Sequence, residues 1–292
     1  MVAWWIGKER TSLKDRQTFF DYGVEANRIL RAMRYLLKLA YRGTDYHGWQ
    51  RQPRSRTVQQ TFEEALQKAF GDRIVLVGCG RTDAGVHAQQ YFAHFELNRS
   101  WKFDLPERIH RILPADLTVI ACRAVPTSFH AQRSAMLRTY TYQFHQQKNP
   151  FRESYSVQIP LSELRWEAVQ RVIAQLKGPQ DFRAFCKRPD AYPHTRCRIE
   201  RCTFDYEASS GIARFTITAN RFLRRMVRLI VGNVLEVGSG RLSEQEFAAH
   251  LHQGEPFRYF NAASPEGLFL TEVRYPTEIE VLFADAPDLP LP

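Results

Sequence analysis

The sequence predicts an α/β (α+β) protein of two tandem ferredoxin-like β-α-β-β-α-β units, with mainly antiparallel sheets and a central cleft. Three observations carry this. Strand-like alternation and helix-like spacing follow that order from residue 33 and begin it again near residue 138, with one extra helix. The chain has 292 residues, enough for two ordinary domains. Its hydrophobic fraction of 44% supplies apolar material for a core in each.

The elements are legible in order. Tyr35 to Tyr41 reads as a strand. Thr57 and Gln60 match a capping box, followed by Val58, Phe62, Ala65, Leu66, Ala69 and Phe70 at helical spacing and closed by Gly71. Ile74–Val77 is a short strand, and 90–97 alternates through Tyr91, Ala93, Phe95 and Leu97. Asp104 with Glu107 starts a short helix, and 117–124 is again a strand. After a connection from Pro126 to Ala135, strand 138–146 carries Tyr140, Tyr142 and Phe144 on one face. A helix with Trp166, Val169, Ile173 and Leu176 stops at Gly178-Pro179. Strands at 199–207 and 212–218, helices at 220–236 and 243–251, and a strand from Leu268 to Tyr275 complete the second unit. The expected divisions are 33–130 for the first domain, with a functional loop, and 131–280 for the second. Residues 281–292, rich in Pro and Asp, are expected to be loose. Residues 1–32 lack a clear period and are expected to be a dispensable extension.

The formal net charge is +10. A basic surface of that size fits a polyanion partner, since Lys and Arg displace counterions from phosphates, and it also fits a merely solvated surface. The cysteines, Cys79, Cys122, Cys186, Cys197 and Cys202, are odd in number and read as reduced thiols. His194 with Cys186, Cys197 and Cys202 lacks the paired spacing of a zinc site. No apolar run is long enough to cross a bilayer, and a cytoplasmic location is the default expectation. P-loop, Rossmann and nucleophile-elbow strings are absent, so the residues ask for no cofactor.

Three segments can carry chemistry. Gly80-Arg81-Thr82-Asp83-Ala84-Gly85-Val86-His87-Ala88 sets an acid between glycines and beside a cation. A plain hairpin loop uses glycines the same way. Arg221, Arg224, Arg225 and Arg228 stand at i, i+3, i+4 and i+7, one cationic stripe if all lie on a helix. Phe222, Leu223, Met226, Val227 and Leu229 to Val231 around them are apolar, so the arginines either snorkel to water or meet anions, Asp83 among the candidates. Tyr46-His-Gly-Trp49-Gln-Arg-Gln-Pro-Arg54 mixes rings, amides and cations suited to bases and phosphates, and equally suits a polar turn with a packed Trp.

The loop from Gly80 to Ala88 resembles the motif of the tRNA pseudouridine synthase A (TruA) family. Further matches come in the family's order: Tyr41 to Gln52, Val125 to Ala131, Arg138-Thr-Tyr140-Thr-Tyr142, Ala219 to Arg228 with Gly232, and Gly267 to Leu270. Arg42, His110 and Gln132-Arg133 depart from its usual residues. The resemblance implies the pseudouridine synthase fold and conversion of uridine to pseudouridine at positions 38, 39 and 40 of the tRNA anticodon arm. It also implies no cofactor or metal, and a homodimer gripping one tRNA. It gives Asp83 the attack on the uridine, Arg81 the displacement of the target base, Tyr140 the stacking on it, and Arg228 the pairing with Asp83. Trp49 and Arg224 are expected to touch substrate. Two other readings remain at this point. A non-catalytic RNA-binding protein of two RRM-like units explains the charge and fold but not the acid in its loop. A glycosidase would call for a second carboxylate beside Asp83.

Overall fold

The computed structural model describes residues 33–259 and 261–292; the extension expected at residues 1–32 lies outside them. In the first half, Met33–Tyr41 forms β1, Val58–Phe70 α1, Val77–Gly78 β2, His87–Leu97 β3, Leu105–His110 α2 and Leu117–Val125 β4. In the second, Leu137–His145 forms β5, Val157–Gln158 β6, Trp166–Gln175 α3, Gly178–Asp181 β7, Arg196–Glu207 β8 and Ile212–Ala219 β9. Met226–Gly238 (α4), Glu244–Gln253 (α5), Leu268–Arg274 (β10) and Thr277–Glu280 (α6) follow.

The strands join in one mixed, mostly antiparallel sheet, ordered β4-β1-β3-β10-β5-β9-β8-β7, with β2 also on β3 and β6 on β5. Each half therefore repeats one order, β4-β1-β3-β2 and β10-β5-β9-β8, as split β-α-β units do. The halves meet along β3. One edge of β3 is taken by β1; the other is shared, with Ala93 and His94 opposite β2 and His87 and Ala88 parallel to Phe269 and Leu270 of β10. The loop between β2 and β3 thus emerges beside the seam.

Alternation along β1 and β3 builds two layers. Tyr35 stacks on Phe95 at 5.5 Å, and Phe70 of α1 reaches Phe95 at 6.0 Å, so this face lies under the helices. The predicted face of α1 (Val58, Phe62, Ala65, Leu66, Ala69, Phe70) is wholly buried. Each such Phe or Leu contributes roughly 1.5–3 kcal/mol by leaving water. On the opposite face, Phe92 meets Phe283 edge-on at 5.3 Å. That contact overturns the expectation of a loose tail. Arg123 grips Asp285 through two bonds of 2.8 and 2.9 Å, and Lys38, buried on β1, donates to Asp288 at 2.7 Å. Apolar anchors such as Ile279 and Phe283 seat a segment that looks polar by composition.

Other local expectations change as well. Thr57 precedes α1, but its side chain makes no capping bond. The capping box that does form is Ser243 with Glu246, ahead of α5. The strand expected at 74–77 pairs instead at Val77–Gly78. Gly178-Pro179 follows the end of α3 at Gln175 as expected, and also opens β7, unforeseen in the sequence, which lies at the sheet's edge, where a proline's missing N–H costs no ladder bond.

Candidate active site

The loop from Gly80 to Val86 is a hairpin connection held on several sides. Backbone N–H groups of Trp49 and Gly85 donate to Thr82 O and Tyr46 O at 3.2 and 3.1 Å. The Tyr41 and Thr82 hydroxyls meet at 2.9 Å, Tyr91 O–H donates to Gly80 O at 2.5 Å, and Arg138 donates to Cys79 O at 2.9 Å. Inside the loop Val86 N–H bonds back to Asp83 O at 3.2 Å. Gly85 adopts φ 79°, and a Cβ there would lie 2.8 Å from the Pro265 ring, so only glycine serves both the turn and the contact. His87 locks the far end. Its Nδ1 accepts from Gly43 N–H at 3.1 Å, which leaves Nε2–H to donate to Glu266 O at 3.0 Å. Burial pushes His87 down to about 4, so it stays neutral.

Asp83 is presented on this scaffold with its side chain 26% exposed, open to a ligand yet walled on one side. The wall is Arg228. Its Nη1 stands 3.7 Å from Asp83 Oδ2, close enough for charge pairing and too far for a hydrogen bond. Arg228 Nε is committed elsewhere, donating to Ala263 O at 2.6 Å. Partial burial lowers the Arg228 guanidinium from its ordinary value and Asp83 works against that shift.

The arginine stripe is not one helical face. Residues 221–225 are irregular or turn, and α4 begins only at Met226. Arg225 takes the left-handed conformation, φ 61° and ψ 9°, which breaks any helix running in from residue 220. Only Arg228 of the four sits on α4. The segment before it is fixed to the β7–β8 connection instead. Lys187 N–H donates to Arg224 O at 3.0 Å, Arg224 N–H donates to the Tyr192 hydroxyl at 3.0 Å, and Arg221 lies over the Tyr192 ring. Arg225, Arg224 and Arg188 together press Lys187 below its ordinary value, with Asp83 opposing them. Cations from two distant segments thus gather around one carboxylate.

Tyr140, on β5, is 9% exposed and meets Phe222 edge-on at 5.0 Å. Burial, foremost, and the nearby Cys79 and Asp83 raise its phenol, so it stays protonated. Arg81 is exposed on the loop itself, two residues from Asp83. Arg224 is exposed as well. Trp49 is elsewhere: 2% exposed and stacked on Tyr91 at 4.1 Å, it packs beneath the loop and offers no face to a base. The structure therefore brings Asp83, Arg228, Tyr140 and Arg81 together, sets Arg224 on the cationic rim, and moves Trp49 into the support. Sequence reading missed Lys187 and Arg188, which sit in an aperiodic stretch, and the carbonyl of Ala263, which no side-chain pattern announces. No group of three or more His, Cys, Asp or Glu among the described residues could hold a metal ion.

Comparison with known proteins bears on this arrangement. A family model described as tRNA pseudouridine synthase matches residues 172–276. The chain is 37% identical over 249 residues to tRNA pseudouridine synthase A of Porphyromonas gingivalis, covering 84% of this chain and 98% of that one. It is 39% identical over 218 residues to tRNA pseudouridine synthase A of Halalkalibacterium halodurans, covering 73% and 81%. The protein of that name from Gloeobacter violaceus is 36% identical over 248 residues, covering 84% and 81%. With 81–98% of these relatives covered and an acid loop set against an arginine from the other half of the chain, the chain belongs to the tRNA pseudouridine synthase A family.

Proposed function

We propose that the chain is an isomerase converting uridine to pseudouridine in the tRNA anticodon stem-loop, at positions 38, 39 and 40, with Asp83 as its nucleophile. The observation that carries this reading is the approach of Arg228, on α4 of the second half of the chain, to Asp83. A partly exposed carboxylate beside a partly buried cation is placed for nucleophilic attack. In the reaction the C1′–N1 bond breaks, the retained uracil turns, and C1′–C5 forms; C5 loses a proton and N1 gains one. Atoms and electrons balance with no co-reactant, and the reading calls for no cofactor.

A uracil in a stem must first leave its stack, at a cost of a few kcal/mol. Arg81, exposed beside Asp83, fills the vacated space. The Tyr140 ring stacks on the extruded base, and Arg224 with its cationic neighbours takes the backbone phosphates. Trp49 serves by holding the loop. The working protein is a cytoplasmic homodimer that grips one tRNA.

The test is incubation with unmodified tRNA followed by mapping of pseudouridine. Product at positions 38 to 40 is expected from the wild-type chain and none from Asp83→Asn, while that variant still binds tRNA. Equal product from Asp83→Asn would end the reading.

A further inference from the structure

Arg228 points at Asp83 because something else holds it, and that holder is the segment leading into β10. Ala263 closes a reciprocal pair with Arg228: its N–H donates to Arg228 O at 2.9 Å, and its carbonyl accepts Arg228 Nε at 2.6 Å. Two residues on, Pro265 packs on Gly85 of the acid loop. The segment thus touches Arg228 and the loop that carries Asp83.

Its own anchor lies two residues earlier. Asn261 Nδ2 donates to Glu236 Oε1 at 2.9 Å and to Gly232 O at 3.2 Å. Glu236 is fixed in turn by Arg241, through Nε at 2.6 Å and Nη2 at 2.9 Å, and that guanidinium holds its carboxyl below the usual range. The backbones meet closely here. A Cβ on Gly232 would stand 2.2 Å from Asn261 O, so any larger residue would push the segment off α4. The seat is therefore specific on both sides: a glycine admits the chain, and a charge-supported amide bond fixes its register.

We infer that Asn261 is a positioning residue for catalysis: by tying residues 261–265 to α4 it places the carbonyl of Ala263, and through that carbonyl it aims the Arg228 guanidinium at Asp83. The inference rests on the proposed roles of Asp83 and Arg228. Its physical basis is the long ion pair. At 3.7 Å Arg228 and Asp83 share no hydrogen bond that could restore their alignment, so the alignment must come from the Ala263 carbonyl.

A double-mutant cycle tests it, read as the single-turnover rate of pseudouridine formation on saturating enzyme, with the tRNA Kd and melting temperature of each variant. The variants are Asn261→Ala, Arg228→Lys and their combination. Lysine keeps the charge of residue 228 but has no guanidinium Nε–H for Ala263 to orient. Asn261→Ala is expected to slow the wild-type chain about 10-fold with Kd within about twofold, and to slow Arg228→Lys by less than about twofold. Equal slowing in both backgrounds, or weakened binding with an unchanged rate, overturns the inference. Glu236→Gln keeps an acceptor for Asn261 and loosens Arg241; its slowing must likewise vanish in the Arg228→Lys background, which decides the matter if Asn261→Ala does not fold. Activity in Asp83→Asn would instead strike at the site itself, so the two failures are distinct.

Discussion

Truncating Arg228 to Ala removes the cation that faces Asp83 and leaves the Ala263 carbonyl without its donor. Losing one preorganised charge at a reacting centre costs on the order of 100-fold in rate. Single-turnover kinetics of Arg228→Ala should show that loss with tRNA affinity within a few-fold of wild type; near-normal turnover would remove the ion pair from the mechanism. At this scale the sequence was informative where chemistry needs rare residue types in order. The ordered motifs name Asp83, Arg81, Tyr140 and Arg228, and the structure sets Arg228 3.7 Å from Asp83. Trp49 was misplaced because a Trp between polar residues looks the same in a turn and in a packed support. Lys187 was invisible because its position depends on a backbone bond to Arg224, and backbone bonds between distant segments leave no periodic trace.

Among the elements, α1 was read almost residue by residue, since burial of one face imposes a period of 3.6. Its start was read wrongly. Thr57 is fully buried with its hydroxyl unpartnered, so the residue chosen as a cap is a packing residue that carries an unsatisfied polar atom. Thr57→Val keeps the shape, suits the extended backbone there, and removes that atom. It should stabilise the fold by about 1 kcal/mol, seen as a higher denaturation midpoint. A lower midpoint would mean that the hydroxyl has a partner. The helix α4 was read six residues too early because apolar and basic residues continue its pattern up to the break. Only the left-handed backbone of Arg225 ends it, and a conformation that arginine rarely adopts cannot be read from arginine in a sequence. β7 was lost for the converse reason: Gly and Pro usually end elements, and an edge position is what lets them open one.

For the whole molecule, two buried histidines tie stability to pH. His87 and His94 are each pushed down to about 4, first by burial. The folded state holds them neutral, whereas the unfolded chain takes up protons near 6.5, so their stabilisation is complete above that pH and is lost as pH falls toward 4. His87 alone accounts for on the order of 3 kcal/mol across that window. Denaturant midpoints measured from pH 7 to 4.5 should fall, and His87→Gln should flatten part of the slope; a midpoint independent of pH would contradict this. The net charge of +10 belongs to the same scale. If the cationic rim meets phosphates, log Kd for tRNA should rise linearly with log salt, and Arg224→Ala should reduce that slope by about one ion; an unchanged slope would take Arg224 off the phosphates. The place of β10 sets a further limit. Because that strand pairs with both β3 and β5, the two halves are parts of one pleated surface. Where that shared surface keeps its span on binding, the work of deformation falls on the nucleic acid. On the proposed reading, stems with weak or mismatched pairs around the target uridine should turn over faster than tightly paired ones of equal length.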